Sequence, residues 1–148
     1  MNEPIELETR IRNLLAAQKF AVLSTQEQDH PYLSLVAFTE TGDLRTILFA
    51  TTRATRKYRN ISSKAGVALL VDNRSNEAAD IREAMALTII GTAREVGESE
   101  KEELDWVYLE KQPHMREFLS SPSTALIKVD VGSYLLVSRF QNVAILNL

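Results

Sequence analysis

The sequence predicts a mainly β protein whose six or seven antiparallel strands form a closed or split barrel, with helices only at its periphery. Short runs rich in β-branched, aromatic and other apolar residues recur along the chain, and turn-forming residues separate them. Segments with helical spacing are too few to supply the crossovers that a parallel sheet requires. Because closure of an antiparallel sheet removes its exposed edges, a barrel is the economical arrangement of these strands.

The first half of the chain predicts one helix followed by three strands. Apolar residues three and four positions apart indicate an amphipathic helix that ends near Lys19. These residues are Ile5, Leu7, Ile11, Leu14 and Leu15. Turn formers at residues 29–31 and 41–43 then separate strands predicted at residues 20–25, 32–38 and 44–51. The three strands are expected to form an antiparallel meander.

The second half alternates short helices with longer strands. A basic segment at residues 53–61 predicts a short helix, residues 72–82 a loop, and residues 98–117 one or two helices divided by Pro113. In the last of these, Leu104, Val107, Tyr108 and Leu109 are expected on the buried side. Strands are predicted at residues 66–71, 84–96, 125–131 and 134–146. Gly91 interrupts the second of these strands and indicates a bulge or the close approach of another group.

Composition limits the classes of function that the chain can have. Its 148 residues predict one domain over residues 1–148, and a net charge of −3 gives no general attraction to nucleic acid or to a membrane surface. No cysteine is present, which excludes disulfides, thiolate metal sites and a cysteine nucleophile, so redox chemistry would need a bound cofactor. No apolar run has the length of a signal peptide or membrane span, and the expected location is the cytoplasm.

Residues 49–57 place hydroxyls and cations at the end of a predicted strand and the start of a predicted helix. The N-terminus of a helix presents unpaired N–H groups and the positive end of its dipole, which together favour a phosphate. Thr55 adds a hydroxyl, Lys57 adds charge, and Arg56 adds a planar donor fork that matches phosphate oxygens. No glycine-rich phosphate loop is present elsewhere, so this segment is the predicted phosphate site.

The order of these motifs resembles the pyridoxamine 5′-phosphate oxidase-like FMN-binding split barrels over roughly residues 5 to 140. The strand, the Thr55-Arg56-Lys57 group and the following helix are the most specific part of the resemblance. The other matching motifs are Ala21-Val22-Leu23-Ser24-Thr25, Pro31-Tyr32, Phe49-Ala50-Thr51, Val67 to Val71 and Ile89-Ile90-Gly91-Thr92-Ala93. The resemblance implies a Greek-key split barrel that forms a homodimer with two FMN sites at the interface.

The resemblance also assigns roles to individual residues. Arg56 and Lys57, with Thr55, are expected to hold the FMN phosphate. Two strand segments are expected to lie along the ribityl chain and the isoalloxazine ring. Their residues are Ser34, Leu35, Val36, Ala37, Ala50 and Thr51. The implied function is that of an FMN-dependent oxidoreductase acting on a small molecule or accepting electrons from a donor.

Departures from the family pattern argue against vitamin B6 oxidation. The family's basic residue on the second strand is replaced by Ser34, and Ala86 is nearest to the position of a flavin-contacting amide. The C-terminal segment also lacks the arginine and histidine that meet the substrate phosphate in those oxidases. The cofactor prediction is unaffected, because it depends on the phosphate element.

Three alternatives remain open at this stage. The barrel could hold haem, for which only His30, His114 or a tyrosine offers an axial ligand, or a small ligand without turnover. A deazaflavin also carries a phosphate that would suit the same site. Both histidines lack a second ligand at metal spacing and are expected at the surface, whereas Trp106 and Tyr108 are expected in the core.

Overall fold

The computed structural model describes residues 3–139 and 141–148 and contains, within them, seven strands and five α-helices. The strands are β1 (Phe20–Glu27), β2 (His30–Glu40), β3 (Thr46–Thr52), β4 (Gly66–Asp72), β5 (Ala86–Glu95), β6 (Thr124–Ser138) and β7 (Asn142–Asn147). The helices are α1 (Glu3–Ala17), α2 (Arg56–Ser63), α3 (Asp80–Glu83), α4 (Glu98–Lys111) and α5 (Arg116–Ser120), with a 3-10 turn at Pro113–Met115. Among the described residues, no helix combines the length and the apolar character that a membrane crossing needs.

The strands form one antiparallel sheet that closes on itself. Their order is β3-β2-β1-β4-β5-β6-β7, and β3 also pairs with β6 along its whole length. Six strands therefore make a closed barrel and β7 extends the sheet beyond it. Because β4 returns to pair with β1 on the side opposite β2, the first four strands have Greek-key order. The predicted mainly β barrel is confirmed.

Alternating residues of the barrel strands fill its interior. Phe38, Phe49 and Tyr134 are among the largest fully buried side chains, and the Tyr134 hydroxyl donates to the carbonyl of Leu44 at 2.7 Å. Full burial of one large apolar side chain contributes about 1.5–3 kcal/mol. The apolar face of α1 joins the same core through Ile11 and Leu15, so the predicted amphipathic helix is confirmed.

Gly91 lies at a bulge and at a close backbone approach, as its sequence position indicated. The pairing of β5 with β6 shifts between Ile90 and Gly91, which leaves Gly132 of β6 as the extra residue. A Cβ added at Gly91 would lie 2.4 Å from the carbonyl oxygen of Asp130. Because real Cβ atoms do not come so close to backbone oxygens, no other residue fits this position without a local shift.

The structure corrects two predicted strand boundaries. The last third was expected to break after Val131, but β6 continues without interruption through Gly132 and Ser133, and the bulge absorbs the irregularity. The chain turns only after Ser138; Phe140, which fell inside the predicted last strand, lies outside the described residues. The hairpin between β1 and β2 is also tighter than expected, with its two-residue turn at Gln28 and Asp29.

Two further expectations were wrong in part. The segment at residues 72–82, predicted as loop, contains the first three residues of α3, whose Asp80 carboxylate accepts hydrogen bonds from the backbone N–H groups of Ser75, Asn76 and Glu77. Trp106 was expected in the core but is 67% exposed on α4, whereas Tyr108 on the same helix is fully buried. Helical spacing alone did not identify which of the two aromatic residues faces the barrel.

Candidate functional site

The barrel opens between β2 and β3, and six of the nine predicted site residues lie on the two strands that border this opening. The two strands pair only at Phe38↔Phe49, Thr39↔Leu48 and Glu40↔Ile47. Before Phe38 and after Phe49 the strands separate, although β2 continues to pair with β1 and β3 with β6. The separation leaves one edge of each strand without a neighbouring strand. We call this opening the split.

Tyr108 of α4 lies over the first residues of the split. Its hydroxyl donates to the carbonyl of Ala37 on β2 at 3.0 Å and lies beside the backbone N–H of Ala50 on β3. Burial raises the pKa of Tyr108 to about 12, although the Ala50 N–H acts in the opposite direction. The Tyr108 hydroxyl thus donates to a carbonyl of β2 at the point where β2 and β3 no longer pair.

The predicted flavin-contacting residues divide between the two edges of the split. On β2, Leu35 is 71% exposed, Val36 is buried in the barrel, and Ser34 and Ala37 are half-buried. On β3, Ala50 is half-buried and packs towards α4, whereas Thr51 is buried. A ligand in the split would meet the side chain of Leu35 but only the backbone of Val36. The cofactor contacts of these six residues stay a prediction.

At the end of β3, two threonines organise the start of α2. Thr55 caps the helix by accepting the N–H of Tyr58 through its hydroxyl at 3.2 Å, and its carbonyl accepts the N–H of Arg59. The hydroxyls of Thr51 and Thr55 are 2.7 Å apart. Since an α-helix supplies no acceptor to its first N–H groups, those of Arg56 and Lys57 are available to an anion.

Three cations flank this helix start, and their surroundings differ. Arg53 forms two hydrogen bonds with the carboxylate of Glu95, at 3.2 and 2.6 Å, and a third with the carbonyl of Pro122. Arg56 pairs with Glu27 at 2.7 Å and stacks over the ring of Tyr32, 4.4 Å from its centroid. Two of the three cations are therefore already bound to other groups of the protein.

Lys57 is the exception among the three. It is half-buried and, among the described residues, forms no ion pair with a carboxylate. Burial alone lowers the pKa of Lys57 from its usual value, because the desolvated ammonium is not stabilised by a counter-charge. An anion bound at the start of α2 would supply that charge, together with the open N–H groups of Arg56 and Lys57. The predicted Thr55-Arg56-Lys57 group therefore lies together in space, with Thr55 engaged in capping.

The outer surface of the sheet beside the split is apolar and exposed. Cross-strand neighbours share a face, so the register places Leu35 beside Val22 and Leu70, and Leu33 beside Ser24, Ala68 and Ile90. Leu33 is 63% exposed, and Phe20 and Ile90 are also exposed. We call this surface the outer face; it consists of Phe20, Val22, Leu33, Leu35, Ala68, Leu70 and Ile90. Contiguous apolar surface of this kind is typical of protein interfaces.

Both histidines lie at the protein surface. His30 begins β2 and His114 lies in the 3-10 turn, and both are exposed. No group of three or more His, Cys, Asp or Glu side chains among residues 3–139 and 141–148 could hold a metal ion. This agrees with the surface roles that the sequence indicated.

Three residues beside the site were missed from the sequence. Tyr108 was assigned to the core without a role in the split, and the acidic partners Glu27 and Glu95 were not considered. The partners come from β1 and β5, 29 and 42 residues away from the arginines that they bind. No local spacing connects residues so far apart, whereas strand pairing places them at the same end of the barrel.

Solved structures with the same fold have diverse ligands and low sequence identity. A haem-binding protein from Mycobacterium smegmatis superposes with a TM-score of 0.81 at 14% identity, over 92% of this chain and 55% of that one. General Stress Protein 26 from Bacillus anthracis gives 0.74 at 20%, over 97% and 99% of the two chains. An FAD-binding protein from Mesorhizobium loti gives 0.70 at 11%, over 87% and 90%. The chain thus spans about half of the mycobacterial protein, and these likenesses show a shared fold.

Family membership comes from the sequence itself. No curated protein matches the chain significantly. The family model described as pyridoxamine 5′-phosphate oxidase matches residues 7–137, which include the whole barrel up to the end of β6 apart from one residue. The chain therefore belongs to the pyridoxamine 5′-phosphate oxidase family.

Proposed function

We propose that the chain binds FMN, with its phosphate at the start of α2, and acts as an FMN-dependent oxidoreductase. The observation that carries this proposal is Lys57, a half-buried cation that has no carboxylate partner among the described residues and lies beside two open helix N–H groups. A phosphate dianion complements all three donors. Charge-assisted hydrogen bonds contribute about 1.5–3 kcal/mol each, so this set is strong enough to retain a nucleotide.

The other predicted residues have consistent places around that anchor. Arg56 binds Glu27 through one terminal nitrogen, and its remaining guanidinium donors are free to reach a phosphate. Thr51 and Thr55 hold each other at the end of β3 and so position the helix start. The split begins on the same strand at Ala50, and it offers backbone groups and the side chain of Leu35 to the rest of the cofactor.

A second copy of the chain is proposed to complete the site. The outer face runs from the edge of the split across β1 and β4 to β5, and it exposes large apolar side chains to solvent in the single chain. Burial of such a surface is favourable by about 25 cal/mol per Å² of apolar area. Because the outer face adjoins the split, a homodimer formed through it would cover a cofactor lying there.

When bound, FMN supplies the hydride or electron transfer itself. The chain's contribution is to fix the phosphate, shield the split and leave access for a small-molecule substrate or an electron donor. Ser34 in place of a basic residue argues against a pyridoxine phosphate substrate. A deazaflavin would use the same phosphate site, whereas haem would have only the surface residues His30 and His114 as histidine ligands.

The double variant Arg56→Ala with Lys57→Ala tests the proposed phosphate site. The purified parent protein is expected to show a two-banded flavin spectrum and to release FMN on denaturation, and the variant is expected to be colourless. Size-exclusion chromatography of both proteins is the control, since the outer face is unchanged and both should elute as dimers. A variant that still purifies fully loaded with FMN would overturn the assignment. A Soret band in the parent would favour haem.

A further inference from the structure

We propose that Tyr58 and Glu95 are positioning residues that fix the start of α2 and thereby set its affinity for a phosphate. This role rests on the proposed FMN site and adds to it two residues that act through the helix. The Tyr58 hydroxyl donates to the Glu95 carboxylate at 2.6 Å. Because Glu95 is the last residue of β5, this hydrogen bond joins the helix of the proposed site to the wall of the barrel.

The start of α2 depends on such a contact because its own sequence opposes a helix there. The first turn contains Arg56, Lys57 and Arg59 and no acidic residue. Cations near a helix N-terminus are unfavourable, since they face the positive end of the helix dipole. The helix has only eight residues, and helices this short are marginal without tertiary contacts. Contacts with the barrel must therefore hold the first turn in place when no anion is bound.

Tyr58 is attached through both its backbone and its side chain. Its N–H donates to the Thr55 hydroxyl at 3.2 Å, and its ring packs against the barrel core. Further along the helix, the Asn60 amide donates to the buried hydroxyl of Thr25 on β1 at 3.0 Å. Asn60 thus fixes the middle of α2 to β1, whereas Tyr58 fixes its first turn to β5. The second contact lies in the turn whose open N–H groups belong to the proposed site.

The carboxylate of Glu95 is a strong acceptor for the Tyr58 hydroxyl. Hydrogen bonds from Arg53 and from Tyr58 lower the pKa of Glu95 against the effect of burial, so the group is ionised at neutral pH. The distance of 2.6 Å is that of a charge-assisted O–H···O⁻ hydrogen bond. Glu95 also adds negative charge near the proposed site, and this charge alone would oppose phosphate binding. Positioning and electrostatics therefore predict opposite effects of Glu95 on phosphate affinity.

Fluorescence titration of the flavin-free parent protein and of Tyr58→Phe, with FMN and with riboflavin, tests the role of Tyr58. Riboflavin is FMN without its phosphate, so the ratio of the two affinities reports on the phosphate site alone. Phenylalanine keeps the ring in place, and the variant is expected to fold and to bind riboflavin as the parent does. Its preference for FMN is expected to fall by about fivefold or more, because a charge-assisted hydrogen bond no longer holds the start of α2. Tyr32→Phe is the matched control and should keep the preference of the parent, since the Tyr32 hydroxyl donates to no described group.

The results that would contradict the positioning role differ from those that would contradict the FMN site. A Tyr58→Phe protein that keeps the full preference for FMN would overturn the positioning role. Equal losses of FMN and riboflavin affinity would overturn it as well, because they would indicate a general structural contact. If the parent protein itself does not prefer FMN to riboflavin, the proposed phosphate site is wrong and the positioning role fails with it.

Two variants at position 95 separate the hydrogen bond from the charge. Glu95→Gln and Glu95→Leu both remove the negative charge, but only glutamine keeps an oxygen that can accept from the Tyr58 hydroxyl. Glu95→Gln is expected to prefer FMN over riboflavin at least as strongly as the parent does. The preference of Glu95→Leu is expected to be lower than that of Glu95→Gln by about fivefold or more. Equal preferences in the two variants would show that Glu95 affects the phosphate only through its charge and would overturn its role as a positioning residue.

Discussion

The two ends of the segment from Arg53 to Lys57 carry similar charges in very different surroundings. Arg53 is held by the carboxylate of Glu95, which also accepts from the Tyr58 hydroxyl at 2.6 Å, and by the carbonyl of Pro122. Lys57 is half-buried and has no carboxylate partner among the residues that the structure describes. The first cation joins the segment after β3 to the end of β5 and to the turn before β6, whereas the second is available to a ligand.

This difference shows that the partners of a cation, more than its type, indicate its role. A paired cation near a surface contributes little to stability, and its carboxylate partner competes with any anion that approaches it. A half-buried cation without a counter-charge destabilises the fold unless a ligand supplies that charge. Function is therefore expected to depend on Lys57 and stability on Arg53, with Arg56 between them.

Lys57→Met is expected to have the largest effect on cofactor binding. Methionine keeps much of the apolar stem and removes the charge. Loss of one charge-assisted contact of about 1.5–3 kcal/mol weakens FMN binding by about 10- to 100-fold. Quenching of flavin fluorescence during titration of the protein measures the affinity. The fold should become slightly more stable, because an uncompensated charge is no longer desolvated. FMN affinity equal to that of the parent would contradict the functional role of Lys57.

Tyr108→Phe is expected to lower stability and to leave FMN's phosphate contacts intact. The change removes the hydroxyl that donates to the Ala37 carbonyl in the split. A buried acceptor left without its donor costs about 1–3 kcal/mol, which urea unfolding detects as a lower midpoint. Tyr32→Phe is the matched control, since Tyr32 also lies beside the site and its hydroxyl donates to no described group. Equal midpoints for the two variants would show that Tyr108 does not hold the edges of the split together.

FMN binding is expected to depend on pH through the protonation of Lys57. Burial lowers the pKa of Lys57, so the unfolded chain binds more protons than the free folded protein between that lowered pKa and 10.5. In this interval the contribution of Lys57 to the free energy of unfolding rises with pH. A bound phosphate instead favours the charged ammonium. FMN affinity is therefore expected to fall as pH rises through the pKa of Lys57 in the free protein.

Lys57→Arg is the control for that experiment. Arginine stays protonated throughout the accessible range, so its FMN affinity should be nearly constant between about pH 7 and about pH 9.5. Fluorescence titration at each pH compares the two proteins. If FMN affinity depended on pH in the same way in both proteins, the titrating group would be another residue. The lowered pKa of Lys57 would then not support its role in binding FMN.

Most of the fold could be predicted from local patterns, because strand alternation and turn residues are local properties. The errors occurred where two local signals conflicted. Gly132 and Ser133 are weak strand formers and suggested a break in β6, but pairing with β5 carries the strand across them through a bulge. Trp106 and Tyr108 are both aromatic residues on α4, and only the packing of that helix against β3 and β6 identifies the buried one.

The candidate site could be located from the sequence but its electrostatics could not. The strand end, the capping threonine and the cations are consecutive, so their juxtaposition is dictated locally. Glu27 and Glu95 reach the site only through the pairing of β1 with β2 and of β5 with β6. The two carboxylates pair with Arg53 and Arg56 and leave Lys57 without a carboxylate partner among the described residues. This difference between Lys57 and Arg53 is visible only in the tertiary structure.

Arg53→Met is expected to have the smallest effect. Arg53 and Glu95 are 41% and 33% exposed at their side chains, so water screens the pair, and such pairs contribute about 0.2–1 kcal/mol. The carboxylate keeps its hydrogen bond from Tyr58, which limits the loss further. The urea midpoint should fall slightly while FMN affinity stays within about twofold of the parent value, because no phosphate contact is removed. If Arg53→Met lost as much FMN affinity as Lys57→Met, the cations would attract the phosphate through their combined charge. The ion-pair partner of each cation would then not determine which cation binds the cofactor.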